Sequence, residues 1–135
     1  MNRLQTILAG TVLFLAACGG PLKYTVPSPK ALGADAKIVA DVKADQHQTL
    51  LEIKALNLAP ADRVAAGTQH YVIWQRKDAN SQWTRVGTLV YDDKDREGKF
   101  EGSVPETAFD LSITAEKDAG AAAPSAEVVF SQHVN

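Results

Sequence analysis

The chain has 135 residues, of which 14 are Lys or Arg and 16 are Asp or Glu, giving a formal charge of −2, and 45% are apolar. That length suits one domain, and the near balance of charge lacks the basic excess that nucleic-acid binding demands. A single cysteine, Cys18, excludes an internal disulfide, a redox thiol pair and a zinc knuckle.

The first predicted element is a leader rather than part of a fold. Arg3 supplies a positive start, and residues 4–17 carry no charge, with Ile7, Leu8, Val12, Leu13, Phe14 and Leu15 at their heart. As a helix this stretch would extend about 21 Å, short of a ~30 Å hydrocarbon core. A short apolar run behind a positive start and ahead of small residues reads as a secretory signal over 1–17. Leu15-Ala16-Ala17-Cys18 resembles the lipobox of bacterial lipoproteins, with Leu three residues before Cys and small residues between. The resemblance implies that Cys18 is lipidated with diacylglycerol and becomes the mature N-terminus after cleavage. Two or three acyl chains then hold the protein on a membrane, because one chain alone binds only marginally. By analogy with the sorting rule of enteric bacteria, Gly19 in place of Asp after the cysteine implies the outer membrane.

Residues 18–35 are rich in Gly and Pro and predict an extended linker, with "KYTV" (23–26) able to pair as a short edge strand before Pro27. From residue 36 the apolar period is two, which predicts strands. Ile38, Ala40 and Val42 share a face in 37–44, and Leu51, Ile53 and Ala55 share one in 49–56, with a hairpin turn near 44–48. Residues 57–69 predict a loop with one helical turn after Pro60. The run 70–77 is apolar on both faces, Val72 with Trp74 and Tyr71 with Ile73, as in a central strand covered on both sides. Strands follow at 83–92, 99–105, 108–116 and 126–134, separated by turns at 78–82 and 93–98 and a loose loop at 117–125. In 108–116, Phe109, Leu111 and Ile113 are expected inward and Asp110, Ser112 and Thr114 outward.

About seven strands with short turns and no long helix predict an all-β fold, an antiparallel immunoglobulin-like β-sandwich over 36–135. Trp74 is the expected central core aromatic. The pieces "YVIW" (71–74), "WTRVGTLVYD" (83–92), "FDLSITAE" (109–116) and "APSAEVVF" (123–130) resemble the extracytoplasmic C-terminal sandwich of anti-sigma-K-type regulators, and uncharacterised δ-proteobacterial lipoproteins share this arrangement. Those regulators carry a sigma-binding domain and a transmembrane helix ahead of the sandwich. This chain has neither pattern, so sigma-factor binding does not carry over.

Catalytic and metal signals are weak. His47, His70 and His133 have no metal-ligand spacing. Asp93, Asp95, Glu97 and Gly98 mimic the first positions of an EF-hand loop, but position 12 is Val104 rather than a bidentate Glu, so a charged hairpin with Gly98 at positive φ is expected. Ser81, Ser103, Ser112, Ser125 and Ser131 lack a nucleophile-elbow context. No cofactor and no enzyme activity are expected. Core packing is the first expectation for Trp83. The alternative sets Trp83 and Tyr91 on one face of 83–92 as an exposed patch for an envelope protein or glycan partner. The reading that emerges is a lipid-anchored envelope lipoprotein with a non-catalytic binding or structural sandwich. A regulatory module in envelope signalling is the alternative.

Overall fold

The computed structural model describes residues 20–135. The predicted signal peptide (1–17) and Cys18 lie outside the described residues.

The fold is all-β. Nine strands form two antiparallel sheets around an apolar interior. Sheet A contains β1 (Leu22–Pro27), β2 (Asp35–Lys43), β3 (Gln48–Leu56), β7 (Glu97–Val104) and β6 (Val90–Asp92), side by side in that order. Sheet B contains β5 (Thr84–Thr88), β4 (His70–Arg76), β8 (Phe109–Glu116) and β9 (Val128–Val134). The order β2-β3-β7-β6 is that of strands A, B, E and D in constant immunoglobulin domains, and β4-β8-β9 is that of C, F and G. The expected sandwich is therefore present, with β1 and β5 as extra edge strands. Among the described residues no helix is long and apolar enough to cross a membrane.

The period-two pattern places the core as expected. Ile38, Ala40, Leu51, Ile53 and Ala55 of sheet A face Tyr71, Ile73, Phe109, Leu111, Ile113 and Phe130 of sheet B. The β2–β3 hairpin turns through a 3-10 turn at Ala44–Gln46, closed by His47 in the left-handed region. A one-turn helix, α1 (Ala61–Val64), follows Pro60 as the sequence predicts.

Several expectations need correction. The Gly/Pro-rich segment 18–35 is not a free linker along its length. Leu22–Pro27 pairs with β2 residue for residue, from Leu22 opposite Ala40 to Pro27 opposite Asp35. Residues 28–34 form a closed turn: Ser28 Oγ accepts from the Ala31 amide at 2.8 Å, Ser28 N donates to Ala34 O at 2.9 Å, and Ala31 and Ala34 are buried. The sandwich thus begins at Leu22, not Ala36. The prolines sit where an edge strand tolerates them, before its first residue and at its last.

The predicted strand 83–92 is two strands on different sheets. Leu89 marks the crossing. It is buried, and its amide donates to Tyr71 O at 2.9 Å. β5 belongs to sheet B before it and β6 to sheet A after it. The two sheets come close along this edge, where the Phe100 ring lies between two glycines. A Cβ on Gly87 or on Gly102 would stand 2.5 Å from that ring. In the β6–β7 hairpin the positive φ belongs to Arg96, not Gly98. Gly98 instead lies under Leu89, where a Cβ would meet the leucine side chain at 2.9 Å.

Trp74 is fully buried, but not between the sheets. Strand alternation points Tyr71 and Ile73 into the inter-sheet core and Trp74 to the outer face of sheet B. There its indole N–H donates to Thr114 Oγ1 at 2.8 Å, and Thr114 donates to Glu116 Oε2 at 2.6 Å. The same carboxyl oxygen accepts the Ser125 amide at 2.7 Å, which ties the β8–β9 loop to the sheet. Ser112 and Thr114 do face outward, yet both are buried rather than solvated.

Candidate functional site

Antiparallel alternation gives the sandwich two distinct ends. The first described residue, the 44–47 turn, the 77–83 and 105–108 loops and the last residue lie at one end. The 28–34, 57–69, 93–96 and 117–127 connections lie at the other. Each end contributes to a surface cleft.

The cleft on sheet B grows from cross-strand register. Arg76 of β4 stands opposite Asp110 of β8, which stands opposite His133 of β9, so three charged or titratable side chains form one row on the outer face. Asp110 accepts from Arg76 Nε at 3.0 Å through one oxygen and from His133 Nδ1 at 2.8 Å through the other. These partners, the His133 hydrogen bond first and Arg76 after it, hold the Asp110 carboxyl below the usual carboxylate range despite partial burial. The guanidinium of Arg76 lies 4.4 Å from the centre of the Trp83 ring, a cation–π contact. The next row inward pairs Ser112 with Ser131. The resulting open cleft of about 500 Å³ is lined by both rows and walled by Trp83.

The groove at the opposite end is built by the β3–β4 loop. Loop positions are pinned by side chains and by a neighbouring turn: Leu58 N donates to Arg96 O at 2.9 Å, Tyr91 Oη donates to Leu58 O at 2.6 Å, and Tyr71 Oη donates to Ala59 O at 2.5 Å. Thr68 Oγ1 closes the far side on Ala61 O at 2.8 Å. Asn57, at φ 55, makes the bend that starts the loop. Burial pushes both phenols above the ordinary tyrosine value, with the Tyr91 charge adding for Tyr71 and Asp93 adding for Tyr91, so both remain donors. The groove, about 590 Å³, runs past Pro60, Asp62, His70 and Tyr91. A second hollow of about 580 Å³ adjoins it at Pro60, Asp62 and Tyr91.

Trp83 and Tyr91 therefore do not form one patch. Trp83 precedes β5 and joins the sheet B cleft, while Tyr91 sits on sheet A and joins the far groove. The crossing at Leu89 breaks the alternation that would have put them on one face. Both side chains are half-buried. The three histidines are also separated: His47 lies in the β2–β3 turn, His70 begins β4 at the other end, and His133 lies on β9. Among the described residues no three His, Cys, Asp or Glu side chains stand together as metal ligands. Among the described residues no serine hydroxyl bonds to a histidine.

Sequence reasoning missed the Arg76–Asp110–His133 row. Each residue does lie at an outward position of its strand, but which strands are neighbours, and in what register, is not written in any one segment. The chain matches no protein family, no curated protein and no solved structure, so its function is argued from this geometry and from the sequence.

Proposed function

We propose that the chain is a lipid-anchored cell-envelope lipoprotein, held on the outer membrane through Cys18, whose β-sandwich is a non-catalytic binding module. The observation that carries this reading is Leu15-Ala16-Ala17-Cys18, behind a charge-free apolar run and only three residues ahead of the first paired strand. Small residues before the cysteine suit cleavage there, and the acyl chains replace the apolar run as the membrane attachment. From Cys18 to Leu22 the backbone spans at most about 14 Å at ~3.6 Å per residue. A lipid on Cys18 therefore keeps the near end of the sandwich at the bilayer surface and turns the Tyr91 groove away from it. Clefts carried on paired strands suit recognition of a ligand.

The test is Cys18→Ala in the native host, with fractionation and intact mass of the purified protein. The native chain is expected in the membrane fraction, cleaved before Cys18 and heavier by its acyl groups. The variant is expected to lose the lipid mass and, without cleavage before residue 18, to keep residues 1–17 in its intact mass. A native protein without lipid, or a variant that still carries the lipid mass, overturns the reading.

A further inference from the structure

The sheet B cleft has a composition that selects among ligands. Its polar groups are both donors and acceptors. Arg76 uses Nε on Asp110 and keeps its two terminal nitrogens, and His133 uses Nδ1 and keeps Nε2. Ser131 is exposed at the rim. Ser112 lies on the floor, only 4% exposed, and among the described residues no protein group bonds to its hydroxyl. That hydroxyl still opens into the cleft, where a ligand hydroxyl can take the place of water.

Charge narrows the choice further. Asp110 is held ionised beside Arg76, so the two formal charges cancel within the cleft. That leaves no surplus cation for an isolated anion and no surplus anion for a cation. A purely apolar ligand would strand the two serines and the Arg76 nitrogens. An extended peptide adding as a strand needs an open sheet edge, whereas this cleft lies on the face of the paired strands β4, β8 and β9. What fits is a neutral ligand with many hydroxyls and one apolar face to lay against an indole.

We infer that the outer face of sheet B is a saccharide-binding site, in which Ser112, Ser131, Arg76, Asp110 and His133 hydrogen-bond sugar hydroxyls and Trp83 packs against a pyranose face. This inference deepens the binding-module reading and rests on it. It does not depend on the anchor. Asp110 acts within the site as acceptor and as the group that orients Arg76 and His133. The cleft volume of about 500 Å³ lies within the range of small-ligand sites, enough for one or two sugar rings.

The test is calorimetric titration of the full chain in a detergent without a sugar headgroup. The probes are the β-1,4-linked tetramer of N-acetylglucosamine, maltotetraose, and acetate and phosphate as anion controls. Saturable heat is expected with at least one oligosaccharide and with neither anion. Trp83→Ala and Ser112→Val are each expected to weaken binding at least tenfold, and Ser131→Ala about threefold. Far-UV circular dichroism and the emission of buried Trp74 confirm that each variant is folded. Should Trp83→Ala fail that check, Ser112→Val decides. Absence of saturable heat with both oligosaccharides, equal affinity in the folded variants, or saturation by acetate or phosphate overturns the inference. The intact mass of the same sample reports Cys18 lipidation separately, so a failed anchor and a failed sugar site give different results.

Discussion

On the outer face of sheet A, Lys37, Lys54 and Lys99 form one cross-strand row and Glu52 and Glu101 belong to the next, and all five side chains are exposed. On the outer face of sheet B, Val72, Trp74, Thr114 and Glu116 are each at most 6% exposed, and beside them lie Arg76, Asp110 and His133. The same strand geometry thus yields a solvated face on one sheet and a second, partly polar core on the other. The difference lies in what each face bonds. Sheet A's charges have water, so their neighbours matter little. Thr114 and Glu116 of sheet B are removed from water and find their partners within the protein. Those partners fix the Thr114 and Glu116 side chains in place.

The largest break in this comparison is Trp74→Ala. It empties a fully buried indole site and strips Thr114 of its donor, and should cost about 3–5 kcal/mol in urea unfolding. If it cost as little as an exposed substitution, the second core on sheet B would not exist. Glu116→Ala comes next. It leaves the Thr114 hydroxyl and the Ser125 amide without their acceptor, with an expected loss of about 1–3 kcal/mol and faster amide exchange at Ser125.

Gln75 sharpens the comparison from the opposite direction. Its Oε1 is buried without a partner, so Gln75→Leu should raise the urea midpoint, by about 1 kcal/mol in stability. A lowered midpoint would mean that the amide has an unseen role.

The Asp110 row carries a pH signature. Its carboxyl titrates lower in the folded protein than in the unfolded chain, so its contribution is fully present above the unfolded value of about 3.9 and is lost as pH falls below that. Asp110→Asn should flatten the stability profile below pH ~4. The smallest effect belongs to sheet A. Lys54→Ala removes an exposed side chain 3.8 Å from Glu97 and should change the melting free energy by no more than about 0.5 kcal/mol. A loss as large as that of Glu116→Ala would erase the distinction between the two faces.

Legibility in the sequence followed the same division. Where a strand has one wet face, as in β2, β3 and β7, alternation alone places the core residues. In β4 both faces are apolar, so the sequence signals double burial but not which face meets the other sheet, and Trp74 was expected on the wrong side. β1 alternates as Leu22, Tyr24 and Val26 against Lys23 and Thr25, a signal masked by the prolines around it. The break at Leu89 has no local mark, because Leu is an ordinary strand residue and the crossing is imposed by sheet-to-sheet closure. Trp83 is neither a core residue nor a neighbour of Tyr91: it lines a cleft with Arg76, Asp110 and His133, which only the pairing of β4, β8 and β9 brings together.

By itself, the sequence determined the all-β class, the inward residues of the one-sided strands, the hairpin at 44–47 and the helical turn after Pro60, because each follows from period and local backbone preference over a few residues. Tertiary structure alone decided that residues 22–34 join the sandwich, that 83–92 divides between sheets, and that Arg76, Asp110 and His133 share a row. Those depend on strand neighbours and register, which are settled by burying two sheets against each other and not by any segment alone.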